Sequence, residues 1–529
     1  MAKILVADKI AQQGIDLLKQ EHEVEVRTGL KEDDLVQAMK GVQALIVRSQ
    51  TQVTKRVIEA GDSLVVIARA GVGVDNVDVP AATAQGVIVV NAPLANTLST
   101  AEHAFGLLLA CARNIPQGHQ SLRNGAWDRA KYQGVELSGK TLGIVGLGRI
   151  GTEVARRARA FEMRVVAYDP FVSNERASAL GVEMRELDDL LAESDFVTLH
   201  TALHEGNRGM MNAERFAKMK QGARLINAAR GALVDEQALY DAVESGHLGG
   251  AGIDVFSEEP AVGNVLTTTD KIVVTPHLAA STNEAQDRAA IDVAEQVLEI
   301  FAGQAPRFPV NVPTVDAETM SVLGPFLEAA RVAGRVASQL ASGNLQKVRV
   351  EYLGEIGTRD TTPMKAAVVT GMLDEVSTER VSAVNALATA EAHGLRLEED
   401  ALPAQDPYAN LLVVRATTDR GEERVAVTNT PIGPSIVAIN DYPVEVSLGA
   451  GSPNLLAIEN IDRPGQIGKV GTMLGEWGVN ISSMSVSPSP KGAERALMIL
   501  GIGSPLTPEQ MDAVAKFDGI FSVRQIRLR

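Results

Sequence analysis

The chain is poor in cysteine, in positive charge and in long apolar runs, and each shortage closes off a class of protein. A single cysteine, Cys111, among 529 residues rules out a disulfide framework and a cysteine-based zinc site; no metal is expected. Lysine and arginine number 50 against 66 aspartates and glutamates, a net charge of −16, which argues against a nucleic-acid footprint. The longest uninterrupted apolar stretch, near Ala104–Ala112, is bracketed by His103 and Arg113 and falls far short of the ~20 residues that span a bilayer. The opening Met-Ala-Lys-Ile-Leu-Val-Ala-Asp lacks a signal-peptide pattern. The expectation is a soluble, cytoplasmic protein of a reducing compartment, with neither nucleic acid nor membrane as partner.

What is present is an ordinary globular balance, 45% apolar and 22% charged, at a length that calls for about three or four domains. The most informative stretch is Lys140-Thr-Leu-Gly-Ile-Val-Gly-Leu-Gly-Arg-Ile-Gly151. Its apolar run from Leu142 to Val145 has the length of a buried strand. The run breaks into Gly146-x-Gly148-x-x-Gly151, and a helical pattern follows with Ile150, Val154, Ala158 and Phe161 on one face. Strand, glycine turn and helix in that order form a phosphate cradle for a dinucleotide. Gly146 permits the tight turn, Gly148 lets the backbone approach a pyrophosphate, and Gly151 lets helix and strand pack closely. The helix N-terminus adds free N–H groups and partial positive charge. The next strand, Arg164 to Tyr168, ends in Asp169, where the adenine ribose hydroxyls require an acid. No arginine follows until Arg176, so NAD is expected rather than NADP.

Ahead of that turn, strand-like runs at residues 3–7, Val24–Val26, Ala44–Val47, Val65–Ala68 and Val87–Val90 alternate with helical stretches, the pattern of a parallel sheet covered by helices. Ligands bind beyond the carboxyl ends of such strands, and two of these ends carry Arg48 and Arg69. One such arginine reads as a surface salt bridge; two at equivalent ends point to an anionic substrate. Ser99-Thr-Ala-Glu102 has the form of a capping box that opens a buried apolar helix towards Arg113.

Behind the turn, a second alternating series places six strands at Leu142–Val145, Arg164–Tyr168, Phe196–Leu199, Arg224–Asn227, Gly252–Val255 and Ile272–Thr275, as in a doubly wound nucleotide-binding domain. A helical stretch from Thr282 to Ala302 leads back to the first domain, and Pro306–Pro313 reads as a linker. The tail begins with a helix, Met320–Leu340, and turns β-rich to about residue 450 without a catalytic constellation. Leu455 to Leu528 then has a βαββαβ order, a ferredoxin-like unit.

Three successive strand ends of the second series deliver complementary groups: Arg230 in Leu225-Ile-Asn-Ala-Ala-Arg-Gly231, Asp254 with Glu259 in Asp254-Val-Phe-Ser-Glu-Glu-Pro260, and His277 in Val273-Val-Thr-Pro-His. Each alone is more often structural. Together, beside a nicotinamide, they form a hydride-transfer site. Histidine, with an ordinary pKa near ~6.5, suits removal of a hydroxyl proton. Glu259 beside it would orient the ring and raise its pKa, and Arg230 can grip a carboxylate and polarise an adjacent carbonyl. Asp254 reads either as a partner of the nicotinamide carboxamide or as a turn cap.

These residues together resemble the D-isomer-specific 2-hydroxy acid dehydrogenase family over roughly residues 1–315. The resemblance is carried by Gly146-Leu-Gly-Arg-Ile-Gly151 with Asp169, Asn227-Ala-Ala-Arg-Gly231, Asp254-Val-Phe-Ser-Glu-Glu-Pro260 and Thr275-Pro-His-Leu-Ala-Ala-Ser-Thr282. Val47-Arg-Ser-Gln-Thr51 and Ala68-Arg-Ala-Gly-Val-Gly-Val-Asp-Asn-Val77 look like the members that act on 3-phosphoglycerate. The tail from about residue 455 resembles an ACT regulatory domain, and the segment before it resembles the allosteric substrate-binding domain of the long members.

The resemblance implies an α/β fold in which a Rossmann-type NAD-binding domain (99–284) is inserted in a flavodoxin-like substrate-binding domain (1–98 and 285–316). An α+β allosteric substrate-binding domain (317–452) and a ferredoxin-like ACT domain (453–529) follow. It implies oxidation of 3-phosphoglycerate by NAD to 3-phosphohydroxypyruvate, with His277 as acid/base, Glu259 as its partner, Arg230 as the carboxylate clamp, and Arg48 and Arg69 as substrate contacts. The implied cofactor positions are Gly146, Gly148, Arg149, Ile150, Gly151, Asp169, Thr201, Ala228, Ala229, Arg230, Asp254, His277, Leu278, Ala279 and Ala280. It also implies L-serine as effector, with Asp462 and Asn480 as contacts, and a homotetramer with the Ser99–Arg113 helix at a subunit contact. The competing readings are a glyoxylate or hydroxypyruvate reductase, whose relatives end near the linker, and a non-catalytic NAD-sensing scaffold.

Overall fold

The computed structural model describes residues 1–528 apart from 305, 314, 375–376, 378–379, 432, 449–451 and 490–493. The first sheet contains β1 (Lys3–Val6), β2 (Glu23–Val26), β3 (Ala44–Val47), β4 (Val66–Arg69) and β5 (Ile88–Asn91). They lie in the order β2-β1-β3-β4-β5, all parallel. Helices cover both faces, so β1, β3 and β4 are buried nearly throughout, as their unbroken apolar runs require. The strand order reverses between β1 and β3. At that switch point Asp8, which follows β1, accepts hydrogen bonds from the backbone N–H of Arg48 (2.6 Å) and the hydroxyl of Thr51 (2.7 Å).

The second sheet is built from β6 (Thr141–Val145), β7 (Arg164–Tyr168), β8 (Glu183–Met184), β9 (Phe196–Leu199), β10 (Arg224–Asn227), β11 (Gly250–Ile253) and β12 (Ile272–Val274). Their order is β12-β11-β10-β9-β6-β7-β8, again all parallel. Seven strands replace the expected six, because β8 is only two residues long and too short to carry a periodic signal. The register is level: Val145 pairs with Leu199, Leu199 with Asn227, Asn227 with Ile253 and Ile253 with Val274. The residues that follow each strand therefore emerge along one edge.

The helix Thr97–Arg113 packs its apolar side against β10, β11 and β12. It starts two residues ahead of the expected capping box, with Asn96 as N-cap. Ser99 lies in the first turn, and its hydroxyl donates back to the Asn96 carbonyl (3.1 Å), while Glu102 pairs with Arg157 (2.9 Å). Phe161, expected on the buried face of the next helix, instead follows its end and is exposed, tilted against Phe105. After β12 the chain crosses back through the helix Asn283–Phe301, which packs on the helix Gln12–Lys19.

Residues 308–311 then run beside β5, with Val310 N–H donating to Val89 O (2.7 Å) and the Asn311 side chain bonded to Val89 N (2.8 Å) and Val87 O (2.9 Å). The helix Ala317–Leu340 leads to β13 (Leu345–Gly354), β14 (Arg396–Leu402), β15 (Asn410–Thr418), β16 (Gly421–Thr430), β17 (Gly433–Ile439) and β18 (Tyr442–Ser447). These form a mixed sheet in the order β14-β13-β15-β16-β17-β18. The loop before Ala386 docks on the first sheet: Ser382 donates to Gly86 O (2.9 Å), Asn385 to Ala84 O (3.3 Å), and Arg380 to Leu64 O.

Last come β19 (Asn454–Ile461), β20 (Ile481–Pro488), β21 (Arg495–Ile502) and β22 (Ile520–Arg527), antiparallel in the order β20-β21-β19-β22 with two helices, the ferredoxin-like arrangement. One face of this sheet packs on its own helices through Leu456, Ile458, Met498 and Leu500. The other face sends Leu455, Ala457, Leu497, Ile499 and Ile526 into the same core as the six-stranded sheet and the helix Ala317–Leu340.

The helices Ala317–Leu340 and Thr362–Leu373 approach closely at Gly371, where an added Cβ would stand 1.8 Å from the Arg331 carbonyl oxygen. Gly371→Ala is expected to force the helices apart and destabilise this core by about 1–3 kcal/mol. Thermal unfolding should show a lowered midpoint, and an unchanged one would contradict the close approach.

Candidate active site

At the end of β6 the chain turns through Gly146 at φ 97°. A Cβ there would sit 2.8 Å from the His200 carbonyl carbon and 2.9 Å from Thr201 N, and one at Gly151 would sit 2.1 Å from Gly146 O. Only glycine allows the strand, the turn and the helix to meet this closely. Gly148 is exposed, with nothing within 4 Å of its Cβ direction, and heads the helix Arg149–Ala160 without a side-chain cap. That leaves open space and backbone N–H groups for an anion, so the residues present fit a dinucleotide pyrophosphate. Asp169 follows β7. One carboxylate oxygen accepts from Leu147 N (2.8 Å) and the other from Phe171 N (2.9 Å), which pins the glycine turn beside the acid. Arg149 is exposed, and Ile150 and Thr201 are half-buried at this edge.

After β10, buried Asn227 accepts from Ala229 N (3.0 Å) and donates to Arg230 O (2.9 Å). This staples Ala228, Ala229 and Arg230 into a turn. Gly231 lies against the Phe256 carbonyl, where a Cβ would stand 1.9 Å from its carbon, and this packing brings Arg230 beside the segment that carries Glu259. The Arg230 guanidinium donates to Ala229 O (2.8 Å) and lies 3.4 Å from the Asp75 carboxylate. Arg69 ends β4, and its buried Nε has no hydrogen-bond partner among the described residues. Burial, helped by the charge of Arg230, pushes Arg69 down to about 10, still charged at neutral pH. Cβ atoms at Gly71 and Gly73 would stand 1.6 Å from Arg69 Nη1 and 2.3 Å from Arg230 Nη2, so the glycine loop makes room for both guanidinium groups. Arg48 reaches the same cleft from the end of β3, half-buried.

His277 sits in a turn at φ 53°, a region a non-glycine residue occupies only when its surroundings hold it there. Its N–H donates to Asp254 O (2.8 Å), and its Nδ1–H donates to Glu259 Oε2 (2.8 Å). Glu259 is fixed in turn by Phe256 N at 3.1 Å. The bond to Glu259 raises the His277 imidazole above the ordinary histidine range against the opposing effect of burial. Burial acts to raise Glu259, but the bonds from His277 and Phe256 outweigh it and leave the carboxyl lowered.

Asp254 is fully buried. It accepts from the Thr275 hydroxyl (2.6 Å), Leu278 N (2.8 Å), Ala279 N (2.9 Å) and His103 Nε2 (3.0 Å). Both of its oxygens are committed to the turn, which supports the capping alternative. Leu278 is exposed beside it, Ala279 is buried, and Ala280 lines the cleft.

A cleft of about 990 Å³ lies between the two parallel sheets, with Arg48, Arg69, Asp75, Asn76, Asn96, Glu259 and His277 in its wall; Arg230 adjoins it through Asp75, and Asp254 and the glycine turn at Gly146 lie outside its lining. The sequence reading did not single out Asp8, Asp75, His103 or Asn227. Asn227 alone carried a local signal, an asparagine at a strand end. Asp462 and Asn480 are exposed and do not line this cleft. They also lie at opposite ends of the four-stranded sheet: Asp462 follows Ile461, which pairs with Arg495, and Asn480 precedes Ile481, which pairs with Ile502. At ~3.3 Å per residue along a strand they are separated by more than 20 Å, so one chain does not bring them onto one small ligand.

Residues 105–279 match the NAD binding domain of the D-isomer specific 2-hydroxyacid dehydrogenases, and residues 322–440 match the D-3-phosphoglycerate dehydrogenase intervening domain. The chain is 40% identical to the D-3-phosphoglycerate dehydrogenase of Synechocystis sp., over 100% of this chain and 95% of that protein. It is also 40% identical to that of Archaeoglobus fulgidus, over 99% of this chain and 100% of that one. Among solved structures, the TT0316 protein from Thermus thermophilus aligns with TM-score 0.55 and 38% identity, covering 58% of this chain and 99% of that one. A D-lactate dehydrogenase from Aquifex aeolicus, complexed with NAD and lactic acid, aligns with TM-score 0.52 and 27% identity over 57% of this chain and 96% of that one.

The His277–Glu259 pair makes a signed prediction. A raised histidine stabilises the fold fully below its unfolded pKa, and that contribution is lost as pH rises through the raised value. The lowered Glu259 loses its contribution as pH falls through its depressed value. An NMR titration of the His277 ring should give a midpoint above ordinary histidine, and Glu259→Gln should bring it down. A midpoint unmoved by the substitution would remove Glu259 as the cause.

Proposed function

Since this chain belongs to the D-3-phosphoglycerate dehydrogenases of the D-isomer specific 2-hydroxyacid dehydrogenase family, we propose that its cleft carries out the NAD-dependent oxidation of 3-phosphoglycerate to 3-phosphohydroxypyruvate with Arg230, Glu259 and His277 as the catalytic residues. The observation that carries this assignment is the His277 Nδ1–Glu259 bond of 2.8 Å at the wall of a cleft lined by arginines. Bound NAD supplies the hydride acceptor. His277, with Nδ1 committed to Glu259, takes the substrate hydroxyl proton at Nε2, and Glu259 stabilises the imidazolium that results. Arg230 holds the substrate carboxylate and draws charge onto the forming carbonyl oxygen. Arg48 and Arg69 meet the phosphate, so a substrate anionic at both ends lies across the cleft.

Gly146, Gly148, Arg149, Ile150 and Gly151 hold the pyrophosphate, Asp169 the adenine ribose, and Thr201, Ala228, Ala229 and the turn at 277–280 the nicotinamide end. The reductases of unphosphorylated acids are the weaker reading. The Aquifex D-lactate dehydrogenase covers 57% of this chain, whereas D-3-phosphoglycerate dehydrogenases match it from end to end.

The same proposal extends to control and assembly. L-serine acts on the ferredoxin-like unit as an ACT domain. Because Asp462 and Asn480 lie at opposite ends of their sheet, an effector that touches both bridges two copies of the chain. A cytoplasmic homotetramer is consistent with this. Exposed Leu98, Ile115, Leu122 and Trp127 around the helices Thr97–Arg113 and Ile115–Arg123 offer an apolar face to a second copy.

NADH absorbance should rise with 3-phosphoglycerate and NAD, and its rate of rise should drop when L-serine is added; turnover confined to unphosphorylated acids would defeat the substrate assignment. His277→Ala should cut turnover by about 10²–10⁴-fold, and wild-type rates in that variant would remove His277 from the mechanism.

A further inference from the structure

We propose that His103 is a positioning residue for this reaction: its Nε2–H holds the buried Asp254–Thr275 pair and, through that pair, the backbone pose of His277. The proposal rests on the acid/base assignment of His277 above. His103 lies 3.0 Å from Asp254 Oδ1 and 3.1 Å from Thr275 Oγ1, although 151 residues separate it from Asp254 in the chain. It projects from the first turns of the helix Thr97–Arg113, just after Ala95 and Asn96 of the cleft wall.

The tautomer follows from the donor count. An ionised carboxylate only accepts, and the Thr275 hydroxyl spends its proton on Asp254. Nε2 of His103 therefore carries the proton that both oxygens share. Among the described residues, His103 is the one side chain capable of positive charge within ion-pair reach of Asp254. A carboxylate taken wholly out of water needs such donors, because without them burial favours the neutral acid. A neutral Asp254 would present an O–H in place of an acceptor to one of its backbone partners. Those partners are the amides of Leu278 and Ala279, which, with Thr275 and the His277 N–H bond to Asp254 O, hold the left-handed turn. His103 touches neither substrate nor the reacting atoms; it acts through Asp254.

The test pairs two variants, His103→Leu, which removes the donor, and His103→Gln, whose terminal amide places an N–H at nearly the same reach. In the Leu variant kcat should fall by about 10- to 100-fold while KM for 3-phosphoglycerate stays unchanged. In the unliganded protein, amide hydrogen exchange at Leu278 and Ala279 should accelerate. The Gln variant should restore both. A wild-type kcat in the Leu variant, a loss carried in KM instead, or an equal loss in both variants overturns the proposal. If the wild-type protein fails to oxidise 3-phosphoglycerate, the functional reading fails, and the exchange measurement still decides the role of His103.

Discussion

The catalytic groups of the active site depend on one constraint, the level register of the parallel strands in the second sheet. Because Val145, Leu199, Asn227, Ile253 and Val274 finish side by side, five loops from distant parts of the chain open onto a single edge. Parallel strands buried on both faces have little freedom to slip, since a one-residue shift would exchange the side chains of the two faces and break the fitted packing on each. The cofactor turn, the arginine turn and the histidine turn thus inherit their relative heights from the sheet, and local hydrogen bonds adjust only their orientation.

Charge in the cleft is arranged asymmetrically. The carboxylates of Glu259 and Asp254 are taken up by imidazoles and backbone amides. Arg230 has Asp75 at 3.4 Å, and Arg69 keeps a buried N–H without an acceptor among the described residues. Guanidinium groups walled by low-dielectric strands attract small anions more strongly than the same groups on an open surface. The glycines at 71 and 73 are what allow two guanidinium groups to stand together, since any side chain there would occupy their space.

Much of this was legible in the sequence, and the reason differs by residue. The glycine turn was readable because its demands are steric and local, and the buried strands because burial on both faces leaves unbroken apolar runs. Arg230, Glu259 and His277 could be named because each lies in the loop that follows a strand, and the sheet places strand ends together. β8 escaped because two residues carry no period. The capping box at Ser99 misled because Glu102 found a tertiary partner, Arg157, in place of the helix N-terminus. His103, Asp75 and Asp8 were silent because each acts on a residue tens to hundreds of positions away. Asp462 and Asn480 are near neighbours in sequence, yet the intervening helix carries the chain back along the sheet and places them at opposite ends.

The six-stranded and four-stranded sheets share one hydrophobic core, and this has a mechanical consequence. The two sheets form one packed arm rather than two beads on a string. That arm meets the first sheet at two places, the 308–311 segment along β5 and the 380–385 loop at Leu64, Ala84 and Gly86. The first fastening runs along β5 and the second meets residues just ahead of β4 and β5, so a push on the arm reaches those two strands first. At their far ends those strands carry Arg69 and Asn91.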